Sequence, residues 1–186
     1  MSEAMFAIDL ARCTGCLTCV VACNDRAMAL AGPETTGPPK WLVVETRETG
    51  AYPRPELVFY VTHCFHCEHP ACAEVCPVEA ISREDGVVAL DDVACIGCGV
   101  CIDACPFGAI TQRPTGTATK CDGCADEVAQ GREPTCVRAC PMRALAYGET
   151  ATPPVHRVMD DGFDDHDLGP RVVYWRRPSG IDPNPS

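Results

Sequence analysis

Large side chains are scarce in this sequence. Aromatic residues make up 6% of the 186 positions, and the 46% apolar fraction is filled largely by alanine and by 16 cysteines. Burying a Val, Leu, Ile, Phe or Met side chain contributes roughly 1.5–3 kcal/mol, so a chain this poor in them is not expected to hold a self-sufficient core. Something else has to contribute to folding. Positive charge is also short: 15 Lys and Arg against 26 Asp and Glu give a formal net charge of -11. That balance argues against a nucleic-acid partner, because phosphate backbones select basic surfaces, and favours a protein partner or a charge-balanced complex.

Long apolar runs are missing too. Even LVVETRETGAYPRPELVFYV is broken by charges and prolines, short of the roughly 18–20 apolar residues of a membrane helix, so no direct membrane span is expected. The start, MSEAMFAIDL, shows neither the basic and then apolar pattern of a secretory leader nor a twin arginine, so no signal peptide is expected on this chain. There is no nucleophile elbow and no glycine-rich phosphate loop. No catalytic residue is assigned.

What the sequence holds in excess is cysteine, in four groups of four with none left over. Group one is Cys13, Cys16, Cys19 and Cys23, and group two is Cys64, Cys67, Cys72 and Cys76. Group three is Cys95, Cys98, Cys101 and Cys105, and group four is Cys121, Cys124, Cys136 and Cys140. Each opens with C-x-x-C and closes with C-x-x-x-C. A disulfide scaffold fits poorly, because paired Cα atoms must stand about 4.4–6.8 Å apart with aimed Cβ vectors, which dense C-x-x-C steps do not supply. Structural zinc also uses C-x-x-C, but generally as two separated pairs; it stays the alternative to iron and sulfide.

Group three reproduces the bacterial ferredoxin run C-x-x-C-x-x-C-x-x-x-C-P, in which three thiolates wrap one cluster and the fourth ligates its neighbour. The proline fixes φ and ends the helical turn. It is present as Pro77, Pro106 and Pro141, and replaced by Asn24 in group one.

Because the fourth cysteine crosses over, clusters come in pairs, and the four groups predict an α+β fold of two ferredoxin-like modules. Groups two and three form one, over 63–115, with Asp85-Gly86 as a hairpin turn between two β-leaning runs. Groups one and four form the other, from residues 1–30 and 116–148, with MFAID and RALAYG as candidate partner strands. One module is thus inserted in the other. Residues 31–62 read as a further insertion, where PETTGPPK is a loop and WLVVET and ELVFYV suggest a β-hairpin. Residues 149–186 read as an irregular, acidic, proline-rich C-terminal extension contacting partners.

His63, His66 and His69 interleave with group two; with four cysteines already there, they are assigned a supporting or surface role. His156 and His166 read as solvated. Trp175, Arg176 and Arg177 offer either an interface anchor or a turn packed on the domain. The run DDGFDDHD lacks the glycine and final glutamate of a calcium loop and reads as solvated acid.

The segments IDLARCTGCLTCVVAC, HCFHCEHPACAEVCPVEAI, DDVACIGCGVCIDACPFGA and TKCDGCADEVAQGREPTCVRACPMRAL carry a resemblance to the four-cluster iron-sulfur (beta) subunits of molybdopterin oxidoreductases, in particular the dimethyl sulfoxide reductase type. The resemblance covers roughly residues 5–148. It implies four 4Fe-4S clusters: cluster 1 on Cys13, Cys16, Cys19 and Cys140, cluster 2 on Cys23, Cys121, Cys124 and Cys136, cluster 3 on Cys64, Cys67, Cys72 and Cys105, and cluster 4 on Cys76, Cys95, Cys98 and Cys101. The crossover argument predicts the same pairing. Nitrate-reductase relatives carry tryptophan where this sequence has Cys98, so a four-iron rather than a three-iron cluster is expected there.

It further implies a non-catalytic electron-transfer subunit, peripheral and membrane-associated through its partners, with the membrane side left open. It would relay single electrons between a large catalytic subunit with a molybdenum or tungsten bis-pterin cofactor, on the cluster 1 side, and an integral membrane anchor handling quinone, on the cluster 4 side. The equivalent subunit of a hydrogenase or formate-oxidising complex, and a free-standing polyferredoxin, are the alternatives; the long insertion and tail argue against the last.

Overall fold

The computed structural model describes residues 6–31, 37, 39–148 and 164–175. Along the chain run β1 (Phe6–Asp9), α1 (Thr18–Ala31), β2 (Leu42–Ala51), β3 (Arg54–His63), α2 (Ala71–Glu74), β4 (Ile81–Glu84) and β5 (Val87–Leu90). Then follow α3 (Val100–Ala104), β6 (Ile110–Gln112), β7 (Ala118–Lys120), α4 (Ala125–Ala129), α5 (Thr135–Ala139), β8 (Leu145–Tyr147) and β9 (Val172–Trp175). Short helices are mixed with short strands whose pairing is mostly antiparallel, β1 with β9 being the parallel exception, which fits the expected α+β class.

A proline holds the residue before it in extended backbone. Cys105, before Pro106, has φ -86 and ψ 105, and Cys140, before Pro141, has φ -71 and ψ 107. Both α3 and α5 accordingly stop one residue short of the group's last cysteine. In group one, where Asn24 replaces the proline, α1 runs on to Ala31 over 14 residues. Positions four apart share a helix face, and Cys19, Cys23 and Ala27 form one buried stripe on α1, which packs against α5. The continuation also carries Arg26, whose guanidinium donates to both carboxylate oxygens of Asp122, at 3.1 and 2.9 Å, and pairs with Asp126.

β1 is the middle strand of a three-stranded sheet, antiparallel to β8 and parallel to β9, with Phe6 opposite both Tyr147 and Val172. MFAID and RALAYG do pair. All four residues of β1 are buried, as a central strand demands. β9 corrects the irregular tail expected over 149–186: Val172, Val173 and Tyr174 are buried in regular parallel pairing. Branched and aromatic residues suit such a surface, but the strand's partner lies at the far end of the sequence, so nothing local announces it. Tyr174 also reaches β3, its hydroxyl donating to the Val61 carbonyl at 2.8 Å. Residues 149–163 and 176–186, with His156, Arg176 and Arg177, lie outside the described residues, as does most of PETTGPPK.

Three hairpins complete the strands. β2 and β3 pair from Leu42 opposite His63 to Ala51 opposite Arg54; the base of this pair is buried while Tyr52 at its tip is exposed. β4 and β5 are joined at Asp85 and Gly86, with φ of 49 and 81, the left-handed pair that an Asp-Gly turn supplies. β6 and β7 pair Ile110 with Lys120, so this hairpin straddles the boundary set at 115/116. The turn there, Arg113 to Thr117, is closed by backbone hydrogen bonds, and its proline and glycine imitate a linker in sequence.

Buried side chains form two clusters. The larger gathers Phe6, Ile8, Trp41, Val58, Val61, Phe65, Leu145, Val172 and Tyr174 around Cys19, Cys23, Cys64, Cys67, Cys121, Cys136 and Cys140. The smaller sets Ile81, Val88, Ile110 and Ala118 around Cys72 and Cys101. Thiols are part of the core itself, which is how a protein with so few large side chains fills its interior. Tyr174→Phe strands the buried Val61 carbonyl and should destabilise the loaded protein by about 1 kcal/mol, read as a lower temperature for thermal bleaching of its visible absorbance.

Candidate metal centres

Each C-x-x-C loop turns on a left-handed residue just before its second cysteine. Gly15, Gly97 and Gly123 occupy this place in groups one, three and four, with φ of 65, 71 and 67, and His66 occupies it in group two with φ 47. Two of these glycines are held by contact as well as by φ. A Cβ on Gly97 would stand 2.5 Å from the Gly116 carbonyl oxygen, and one on Gly15 would stand 2.5 Å from the Phe59 ring. The loops are therefore clamped against the β6–β7 turn and against β3.

All sixteen cysteines are free thiols, and the fold gathers them by fours. Cys13, Cys16, Cys19 and Cys140 line one hollow, with Val44, Met142 and Leu145 among its walls. Cys64, Cys67, Cys72 and Cys105 line a second, walled by Phe65, Val88, Phe107, Ile110 and Leu168. Cys76, Cys95, Cys98 and Cys101 line a third, with Ile81, Leu90 and Ile96. The remaining four, Cys23, Cys121, Cys124 and Cys136, are all buried, and their charges act on one another. Burial pushes the Cys23 thiol up to about 12, with Cys124 adding to it. Cys121 is raised by burial and then by Cys23, and Cys136 by burial and then by Cys124 and Cys23.

The same electrostatics links each set to the next. Beyond its own set, Cys136 feels Cys19, Cys121 feels Cys64, and Cys72 feels Cys101. The ends of the row are the exposed thiols, Cys16 in one outer set and Cys98 in the other.

Three of the sets surround hollows, and the donor set fits a cubane of iron and sulfide in its chemistry: four thiols, otherwise largely apolar walls, and amides turned toward sulfur. Ala80 N–H donates to the Cys76 sulfur at 3.2 Å, Ala144 N–H to Cys140 at 3.3 Å and Gly123 N–H to Cys121 at 3.4 Å. Such bonds are one of the protein's means of setting a cluster's potential.

The histidines stand beside the thiols. His63 Nδ1–H donates to the Cys64 carbonyl at 2.7 Å, and His66 Nδ1 accepts the Val88 N–H at 3.0 Å. Burial pushes His63 down to about 4, and burial with the nearby Lys120 ammonium pushes His66 down to about 3, so both are neutral imidazoles. His69 is exposed. The exposed His166 stands 3.4 Å from Asp164. One residue escaped the sequence reading altogether: Lys120, buried beside Cys121. Nothing in the sequence marks it, since the strand it closes reads only Ala-Thr-Lys. A cleft of about 290 Å³ lined by Glu45, Arg47, Tyr60, Phe107, His166 and Tyr174 contains no cysteine.

Fold and thiol sets together define a 4Fe-4S protein of the ferredoxin-like kind. Residues 12–80 and 55–150 each match a 4Fe-4S dicluster domain. Over 157 residues the sequence is 43% identical to a component of the anaerobic dimethyl sulfoxide reductase of Escherichia coli (strain K12), across 77% of this protein and 72% of that one. It is 35% identical over 171 residues to a component of the sulfite dehydrogenase of Allochromatium vinosum, across 82% and 71%. It is 36% identical over 150 residues to a component of the tetrathionate reductase of Salmonella typhimurium, across 78% and 58%. The protein belongs to the family of iron-sulfur subunits of the dimethyl sulfoxide reductase type.

Gly97→Ala must adopt a left-handed φ, at roughly 1–2 kcal/mol, and also displace the Gly116 carbonyl. It should lower the iron content per molecule. Gly99→Ala, with φ 80 but open space around it, carries only the first penalty and should keep its iron.

Proposed function

We propose that this protein is the electron-transfer subunit of a molybdenum or tungsten bis-pterin oxidoreductase, relaying single electrons through four 4Fe-4S clusters. The observation that carries this reading is the gathering of all sixteen cysteines into four sets, each taking three thiols from one group and one from its partner group. A 4Fe-4S cluster takes up and gives up one electron at a time. Cluster 1 is assigned to Cys13, Cys16, Cys19 and Cys140, cluster 2 to Cys23, Cys121, Cys124 and Cys136, cluster 3 to Cys64, Cys67, Cys72 and Cys105, and cluster 4 to Cys76, Cys95, Cys98 and Cys101.

The residues around the thiols fix spacing, exclude water and set the local field. The interactions of Cys19 with Cys136, Cys121 with Cys64 and Cys72 with Cys101 support an order of the sets from 1 to 4. Pairing of β1 with β8 supports one module made from residues 1–30 and 116–148, enclosing the other at 63–115. The β2–β3 hairpin supports an insertion over 31–62.

The two ends of the row are the surfaces offered to partners. Leu17, Val21 and Met142 are exposed near Cys16, and Val93, Ile96 and Val100 near Cys98. Grouped apolar side chains of this kind suit protein interfaces rather than open solvent. By analogy with the relatives' multi-subunit enzymes, the Cys16 end is assigned to the catalytic subunit and the Cys98 end to a membrane anchor. Among the described residues no helix is long and apolar enough to cross a membrane, so membrane association is assigned to that partner.

Purified without oxygen, the protein should hold about sixteen irons with matching sulfide and bring with it a large molybdenum or tungsten subunit. Zinc in the sites, or a nickel-containing partner, overturns the assignment. Because each ligand set closes a loop between distant parts of the sequence, metal and folding are coupled. Stripping the iron should abolish the far-ultraviolet circular dichroism of the native protein, and persistence of that signal would contradict the coupling.

A further inference from the structure

Between the second and third thiol sets lies a cation that the ligand pattern does not require. Lys120 closes β7 and is buried, 4% exposed. Its Nζ donates to the Val88 carbonyl and, at 3.0 Å, to the Cys121 carbonyl. Val88 is a wall of the hollow lined by Cys64, Cys67, Cys72 and Cys105, whereas Cys121 belongs to the set completed by Cys23, Cys124 and Cys136. One ammonium is thus tied by one hydrogen bond to each side of the junction. Among the described residues no carboxylate pairs with it. Burying an ammonium without a counter-charge is strongly unfavourable, and two carbonyl dipoles do not neutralise it.

We propose that Lys120 is the counter-charge of the two central clusters and raises their reduction potentials, easing passage of the electron from one module to the other. The inference rests on the cluster assignment above and uses the fixed positive charge of the side chain. When either central cluster is reduced it gains one electron and becomes more negative by one unit, with no proton and no bond changing hands. A neighbouring ammonium stabilises that added charge. A unit charge at about 10 Å in an effective dielectric of about 20 changes a one-electron equilibrium by roughly tenfold, equivalent to about 59 mV. The outer sets carry the exposed thiols Cys16 and Cys98, where solvent and salt screen the same charge more strongly.

The test is a potentiometric titration of the full, iron-loaded protein followed by electron paramagnetic resonance, comparing the unaltered protein with Lys120→Met and Lys120→Arg. In Lys120→Met two of the four midpoints should fall, by about tenfold in the reduced-to-oxidised ratio at fixed potential, while the other two hold. Lys120→Arg, which keeps the charge, should retain all four. Unmoved midpoints in a fully loaded Lys120→Met protein overturn the proposal, as does an equal shift of all four or a shift in Lys120→Arg as large as in Lys120→Met. Should the methionine variant fail to load, Lys120→Gln, which keeps a donor group for the carbonyls, takes its place with the same expected and overturning outcomes. Absence of cluster signals from the unaltered protein would instead defeat the cluster assignment itself.

Discussion

Four thiolates facing one small volume repel each other and are poorly solvated, and only metal standing between them turns that repulsion into attraction. The fold is organised around this sign change. Burial holds the Cys19 and Cys72 thiols up near 11 and the Cys67 thiol near 12, so the bare protein disfavours the charged ligand form. Iron supplies the missing positive charge and draws the protons off. Since Cys13 and Cys140 line one hollow and Cys23 acts on Cys121, iron bound there would hold the first and last parts of the cysteine-bearing sequence together. The β1–β8 pairing and the α1–α5 contact follow from where those ligands must stand.

Much of the site could be read from spacing alone, because ligand geometry is local. Three cysteines at C-x-x-C-x-x-C spacing have few places to go, and proline after the fourth sets its backbone directly, as Cys105 and Cys140 show. The Asp85-Gly86 turn was legible for the same reason. Elements whose cause is distant were not. Val172–Trp175 forms a strand by pairing with the edge of β1 that β8 leaves free, a partner that no local pattern names. Lys120 is hidden in sequence because its role depends on two carbonyls brought together by folding. His66 was read as a supporting residue, but its place in the repeat, held by glycine in the other three groups, is an irregularity that hinted at its left-handed backbone.

The thiol sets also explain the unusual make-up of the interior. Cysteine, alanine and glycine pack closely around small volumes, and the few large side chains are concentrated where the modules meet the hairpin: Phe6, Trp41, Phe65 and Tyr174 with Val58 and Val61. Trp41 donates its indole N–H to the Thr119 hydroxyl at 2.7 Å, and Tyr174 meets the Tyr60 ring with centroids 5.6 Å apart. Apolar burial therefore supports the outside of the conductor, and metal its inside.

The unbroken α1 has a consequence for how such proteins can change. With Asn24 in place of proline, the helix continues past its last thiol and delivers Arg26 to Asp122 and Asp126, on the loop and helix of the fourth group. The first motif is thereby fitted to the fourth as a key to one lock, and the apparent fourfold repetition conceals parts that are not spares for one another. Duplication can multiply such motifs freely, yet shuffling them cannot preserve this lock, so the order of the groups along the sequence is itself an inherited structural constraint.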